Sequence, residues 1–255
     1  MMDFAGRTVL ITGAGGALAS AAAVALAKQG ADLVLADIDQ ESLDRTLALC
    51  PRARGRCLDV TVATEVQALA DYAREAFDRP VYGLVGAAGM LGPVKKLMDV
   101  TEEEYDRTFS LNTRALWLLC RAVLPQMQAA HEGSIVLLSS TAGLEASHSL
   151  NLYSVTKAAV IMLSRNLALN HAADNIRVNS VCPGTIEGPM TESSIALPGL
   201  DEAARQVRRK NVIAAHPMGR LGTPEEVAHS ITFLLSDMAR FTTGVALPVD
   251  GGRLA

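Results

Sequence analysis

Aromatic side chains are scarce in this chain of 255 residues, which has one Trp, four Tyr and five Phe. So few rings offer little for stacking unpaired bases. The 23 basic residues are outnumbered by 27 acidic ones, leaving a net charge of −4 and no surplus of cations for phosphates. Composition therefore excludes nucleic acid as a partner. Cysteine is also sparse: Cys50, Cys57, Cys120 and Cys182 lie far apart without a CxxC pair, and the histidines show no metal-ligand spacing. Reduced thiols are expected, with no metal site and no redox motif. The amino terminus lacks a basic stretch followed by an apolar one, so no secretory signal is read there and a cytoplasmic location is expected. Long hydrophobic runs are missing too, apart from residues 8–27, which carry no charge. Thr8, Thr12, Gly13, Gly15, Gly16 and Ser20 interrupt that run, β-branched residues precede its glycines, and alanines follow them. That order reads as a buried strand, a turn and a buried helix, and no membrane span is expected.

What the chain has is small and branched aliphatic mass: 49% of its residues are hydrophobic and only 4% aromatic. Its length suits one α/β domain with a large core. Short apolar runs predict strands near 7–12, 31–37, 54–58, 81–86, 133–139, 175–182 and 244–249, most of them unbroken, as in strands covered on both faces of a parallel sheet. Between them the pattern predicts helices near 16–28, 40–49, 62–78, 101–128, 150–172 and 223–236. Thr101 with Glu104 and Thr223 with Glu226 read as capping boxes, the second with Pro224 at the first helical position. Alternation of strand and helix calls for a doubly wound parallel sheet of about seven strands with helices on both faces. Only 184–217 breaks the rhythm, with Gly184, Gly188, Pro189, Pro198, Gly199 and Pro217 around an Ala- and Arg-rich stretch. It is expected to form a substrate loop or lid.

Three groups of residues carry chemistry. The turn after the first strand, from Thr12 through Gly13, Gly15 and Gly16 to Ala19, lets the backbone approach a phosphate and open a helix whose free N–H groups favour a pyrophosphate. Asp37 ends the second strand, where a carboxylate can accept hydrogen bonds from adenosine ribose hydroxyls and repel a 2′-phosphate. No Lys or Arg lies between Arg7 and Lys28, so NAD is favoured over NADP. The second group is Tyr153 and Lys157, four residues apart and so on one helix face. An adjacent ammonium stabilises a phenolate and lowers its pKa, which makes the pair a general acid/base for hydroxyl and carbonyl chemistry. Third, Ser139 and Ser140 end a buried strand, where a hydroxyl can reach a substrate.

Together these residues resemble the NAD(P)-dependent short-chain dehydrogenases/reductases. The resemblance runs through Asp59-Val60, Leu111-Asn112, Ser139-Ser140, Tyr153 to Lys157, Pro183-Gly184, Gly219 to Gly222 with Pro224 to Glu226, and Val249 to Gly252. It implies a single Rossmann-like domain over 1–255 that interconverts a secondary alcohol and a ketone with NAD. Tyr153 would be the general acid/base and Ser140 would orient the substrate oxygen. Lys157 would bind the nicotinamide ribose and lower the Tyr153 pKa, and Asn112 would hold a water that relays protons. Cofactor contacts are implied at Gly13, Gly15, Gly16, Ala17, Leu18, Asp37, Asp59, Val60, Ala88, Gly89, Tyr153, Lys157, Pro183, Gly184 and Ile186. A homotetramer is implied as well, with helices 101–128 and 150–172 at one interface and the carboxy-terminal segment at another.

The chain departs from the family pattern at three places. Ala17 and Ala19 stand where loop glycines are usual, Gly86-Ala87-Ala88-Gly89 replaces Asn-Asn-Ala-Gly, and Gly188 replaces a threonine. Weaker cofactor affinity is the expected effect. The loop alanines motivate a rival reading, a catalytically weak or silent member serving as a nucleotide-binding or assembly module; the retained Asn112, Ser140, Tyr153 and Lys157 argue against it. Other features stay open between two readings. His148 and Glu145 either bind a polar substrate group or face solvent. Arg205, Arg208, Arg209 and Lys210 form either an anion site or a solvated helix face. Met90, Leu91, Met190 and Leu197 line an apolar pocket or pack in the core. His131, His171, His216 and His229 are expected at surfaces or helix ends.

Overall fold

A computed structural model describes residues 2–147, 150–196 and 199–255. Seven parallel strands form one sheet in the order β3-β2-β1-β4-β5-β6-β7. They are β1 (Thr8–Thr12), β2 (Asp32–Asp37), β3 (Arg54–Cys57), β4 (Val81–Gly86), β5 (Gly133–Leu138), β6 (Ile176–Pro183) and β7 (Ala246–Val249). The β1, β4 and β5 strands are buried along their whole length, which is why they read as unbroken apolar runs. By contrast, β3 is a short edge strand with Arg54, Arg56 and Cys57 exposed. The Arg56 guanidinium lies 3.7 Å over the Tyr72 ring, and charge on an edge discourages pairing with other chains.

Helices cover both faces. One core packs β1, β4, β5 and β6 against α3 (Ala63–Glu75), α5 (Ala115–Ala130) and α6 (Asn151–His171). The other packs the sheet against α1 (Ala17–Lys28), α2 (Gln40–Leu49) and α9 (Pro224–Leu235). Both expected capping boxes form: Thr101 starts α4 (Glu102–Phe109) and Thr223 starts α9 with Pro224 in its first turn. Arg220 grips Glu226 through both oxygens, at 2.8 and 2.7 Å, and holds its carboxyl down at about 2.

Two features differ from the expected elements. The helix expected over 101–128 contains a wide π-turn, Ser110–Arg114, between α4 and α5, and Asn112 sits in it. Such turns insert one extra residue into the helical ladder and redirect the side chains that follow. The irregular segment 184–217 contains two helices, α7 (Pro189–Ile195) and α8 (Glu202–Ala214). Strand order reverses between β1 and β4, so the carboxyl ends of these strands open onto a crevice. Among the described residues, no helix is long and apolar enough to cross a membrane.

Candidate active site

A cleft of about 850 Å³ opens at this switch point. Every residue expected to touch a cofactor lines it, from Gly13 to Leu18 through Asp37, Asp59, Val60, Ala88 and Gly89 to Pro183, Gly184 and Ile186. Ser140, Tyr153 and Lys157 line it too, whereas Asn112 lies behind its wall, fully buried.

The glycine turn forms one wall. Gly13 has φ +68°, and a Cβ there would stand 2.7 Å from the backbone nitrogen of Ala88, so only glycine fits. Helix α1 then begins at Ala17 without a side-chain cap, and its first residues, Ala17, Leu18 and Ala19, face the cleft. Its neighbour α2 is capped by Asp39, which accepts from the Ser42 N–H. Uncapped N–H groups at a helix start are unsatisfied donors suited to an anion. Asp37 holds one carboxylate oxygen 2.9 Å from the Gly15 N–H and the other 3.0 Å from the Asp39 N–H. Exposed Ile38 follows it, and Arg107 and Lys157 supply the cations among the described lining residues.

The opposite wall carries the reactive groups. Tyr153 and Lys157 share one face of α6 and are 8% and 4% exposed. The Ser140 hydroxyl stands by the Tyr153 phenol and favours its ionised form, and Ser140 is itself oriented by accepting from the Ala142 N–H at 3.1 Å. Ser139 donates to the Lys157 carbonyl at 2.8 Å, tying the end of β5 to α6. The expected effect of Lys157 on the phenol is absent in this geometry. Burial pushes Tyr153 up to about 12, with the Ser140 hydroxyl opposing it and the nearby Cys182 adding to it. The reason is where the ammonium points: Lys157 Nζ donates to the Leu138 carbonyl at 2.8 Å and lies 5.5 Å from the centre of the Tyr153 ring. Burial also pulls Lys157 down to about 8.

Asn112 clamps the loop after β4. Its Oδ1 accepts from the Met90 N–H at 2.8 Å, and its Nδ2 donates to the Met90 carbonyl at 2.9 Å and to Thr156 Oγ1 at 3.1 Å. With the side chain committed to the backbone, any water contact would fall to its main chain.

The three departures are accommodated by packing. A Cβ at Gly188 would lie 3.4 Å from the Ala17 Cβ, so the added methyl in the glycine turn faces the missing side chain. Gly188 has φ +146°, which strains any other residue. Leu116 and Leu137 crowd Gly86, where a Cβ would meet them at 2.7 and 3.0 Å. The amide usual there is thus replaced by aliphatic contact, and Thr12, paired with Gly86 across the ladder, has a buried hydroxyl without a hydrogen-bond partner. Ala19, 1% exposed, joins the second core.

Among the open residues, Glu145 pairs with Arg253 of the carboxy-terminal segment at 2.7 Å. His148 and Leu197 lie outside the described residues. Arg208 donates to the Ser194 carbonyl and Arg209 pairs with Glu192, so half of the basic cluster staples α8 to α7. Met190 is 47% exposed at the cleft mouth, and Met90 also lines the cleft. His131 ends α5, His171 pairs with Asp174 and His229 is exposed, but His216 is buried at 3% exposure. Sequence reasoning also missed Ser42, Arg107, Glu187 and Thr191 as cleft residues. Ser42 had a local signal in the Asp39 cap three residues before it.

A doubly wound parallel sheet with a glycine turn on one wall of its crevice and a half-buried serine beside a buried tyrosine and lysine on the other defines an α/β oxidoreductase. A family model described as "Enoyl-(Acyl carrier protein) reductase" matches residues 13–253. The chain is 35% identical to 2-(S)-hydroxypropyl-CoM dehydrogenase 3 of Xanthobacter autotrophicus, over 98% of its length and 97% of the relative's. It is also 35% identical to a cyclopentanol dehydrogenase of Comamonas sp., over the same shares of the two chains. The solved structure of an NAD+-bound xylitol dehydrogenase superposes with a TM-score of 0.93 at 31% identity, covering 98% of this chain and 99% of that one. The protein belongs to the short-chain dehydrogenase/reductase family and is an oxidoreductase acting on CH–OH groups.

Proposed function

We propose that the protein interconverts a secondary alcohol and a ketone with NAD as the hydride carrier, using Tyr153 as general acid/base. The observation that carries this reading is the convergence of half-buried Ser140 with buried Tyr153 and Lys157 on the cleft wall facing the glycine turn.

The residues present fit a dinucleotide. Gly13 leaves a cradle that a Cβ would fill, and the uncapped start of α1 at Ala17 and Leu18 offers N–H donors to a pyrophosphate. Asp37, already anchored by Gly15, is placed to accept from ribose hydroxyls, and its charge beside apolar Ile38 disfavours a 2′-phosphate. Asp59 and Val60 would border the adenine, and Ala88, Gly89, Pro183, Gly184 and Ile186 the nicotinamide half. When bound, the nicotinamide would supply the hydride acceptor or donor.

The chain's own groups handle the proton. With its pKa raised to about 12 the phenol is protonated at neutral pH, so Tyr153 Oη donates to the oxygen of a ketone as charge develops there. In the oxidative direction the phenolate must form first, which disfavours that direction at neutral pH and favours it as pH rises. Ser140, beside the phenol on the cleft wall, holds the substrate oxygen against Tyr153. Lys157 keeps a positive charge beside the ribose site below about pH 8, and its bond to Leu138 fixes its position. Asn112 anchors the Met90 backbone and so the wall opposite the lid. Met90 and Met190 make the mouth apolar, in keeping with a small alcohol or ketone.

The whole chain acts as one catalytic domain, with 184–217 as its lid. A homotetramer is supported by exposed apolar side chains on α4, α5 and α6, including Tyr105, Trp117, Val155 and Met162, and by Met238 and Phe241 near the carboxy-terminal segment. Calorimetric titration with NAD and NADP tests the cofactor: tighter binding of NAD supports the reading, and equal or tighter binding of NADP refutes the role of Asp37. Sedimentation measures the assembly, with a monomer as the contrary result.

A further inference from the structure

The segment carrying α7 and α8 leaves the sheet and returns to it through a narrow neck on the cleft wall. Ile186 and Gly222 form a parallel bridge there. The Glu187 N–H donates to the Gly222 carbonyl at 2.9 Å, and the Gly222 N–H to the Thr185 carbonyl at 3.1 Å. His216 fills the inside of the neck. Its Nε2 accepts from the Thr185 N–H at 3.1 Å, and its Nδ1 lies 2.8 Å from the Val212 carbonyl. An amide can only donate and a carbonyl can only accept, so the two partners dictate a neutral ring with its proton on Nδ1.

Each contact reaches a different part of the site. Val212 belongs to the last turn of α8, where carbonyls lack helical partners, so the ring caps the lid's second helix. Thr185 lies between Gly184 and Ile186, both on the cleft wall. The ring is also close-packed. A Cβ on Gly184 would come within 2.9 Å of His216 Nε2 and of the Asp250 Cα, and one on Gly251 within 3.7 Å of the His216 Cβ. Asp250 is itself committed to the Gly252 and Leu254 N–H groups. A core residue filling space would need no such pair of bonds; an imidazole spanning two backbone groups 27 positions apart fixes one segment relative to the other.

We propose that His216 is a positioning residue that ties the lid to the nicotinamide half of the cleft, holding the Thr185–Ile186 backbone in its binding conformation through one ring nitrogen and the end of α8 through the other. This rests on the reading above that Gly184 and Ile186 border the nicotinamide. It goes beyond that reading by making cofactor affinity depend on a residue that does not line the cleft.

Two polar replacements separate the roles of the ring nitrogens. His216→Asn can still donate to Val212 but is too short to reach Thr185, whereas His216→Gln can accept from Thr185 through its amide oxygen and donate through its nitrogen. Calorimetry uses NAD and, as a probe of the adenosine half alone, ADP. The Asn variant is expected to bind NAD about tenfold more weakly, the cost of one lost hydrogen bond with its peptide freed, and ADP within about twofold of the parent. The Gln variant is expected to recover most of the NAD affinity. In cofactor-free protein, hydrogen exchange at the Thr185 amide should be faster in the Asn variant and protected again in the Gln variant. Parental NAD affinity in the Asn variant would overturn the proposal, as would equal losses for NAD and ADP, which indicate general packing. A parent protein that fails to bind NAD would overturn the cofactor reading instead. The exchange arm then still decides the tie: Thr185 protection lost in the Asn variant upholds it, and unchanged exchange overturns it.

Discussion

The reactive wall of the cleft and the lid beside it are built in opposite ways. The wall with the reactive groups is anchored by buried bonds between core elements, Ser139 to Lys157, Lys157 to Leu138 and Asn112 to Thr156, with Asn112 also holding the backbone of the Met90 loop. The lid wall has little of this. No residue of α8 is buried, α7 buries only Thr191 and Ile195, and Arg208 and Arg209 bind the two helices to each other rather than to the body. Proton transfer demands groups held within fractions of an ångström, whereas substrate exchange demands a segment that opens at low cost. Changes on the fixed wall should therefore strike rate, and changes on the lid should strike binding.

The sharpest way to break that contrast is Tyr153→Phe. Loss of the phenolic oxygen removes the proton donor and leaves the ring's packing, so turnover should fall by about 10³ or more with thermal stability nearly unchanged, as kinetics and calorimetry together would show. Next is Lys157→Met, read as stability against pH. The folded pKa of Lys157, about 8, lies below its ordinary value of 10.5, so the unfolded chain binds more protons between those limits and the parent gains stability as pH rises from 8 to 10.5. The methionine variant lacks that gain. Denaturant unfolding across this window should show the difference between the two proteins shift in the parent's favour by up to about 3 kcal/mol. An unchanged difference would mean that the ammonium is solvated.

Smaller effects are expected away from the reactive cluster. Asp37→Ala should weaken NAD binding about tenfold and narrow the preference over NADP, by calorimetry, because it removes ribose acceptors and the repulsive charge together. On the lid, Arg209→Ala breaks an exposed ion pair with Glu192, so unfolding free energy should change by less than about 1 kcal/mol. The substrate KM should still rise severalfold while cofactor affinity holds, since the pair joins α7 to α8. A large stability loss there would show that the lid is as well anchored as the body.

How much of this was legible in the sequence depends on the distance over which each signal acts. Strand and helix periods, both capping boxes, the glycine turn and the Tyr153–Lys157 spacing are local patterns, and each element forms near its expected place. The π-turn at Ser110–Arg114 is missed because the helical pattern of 101–128 runs on through it. Spacing placed Tyr153 and Lys157 on one face but could not reveal that Lys157 turns to Leu138, so burial, not the ammonium, governs the phenol. The alanine at 17 and the glycine at 188 look like separate departures until the fold sets them face to face. His216 reads as a helix-end histidine because its partner Thr185 lies in another segment, across the neck.

The proposal that Tyr153 moves the proton is tested most directly by following NADH formation from a panel of secondary alcohols with the parent and with Tyr153→Phe at matched cofactor saturation. The expected result is turnover by the parent that rises with pH, and its near abolition in a variant that binds NAD as the parent does. A variant that keeps the parent's rate and pH dependence would place the acid/base elsewhere and contradict the reading of the site.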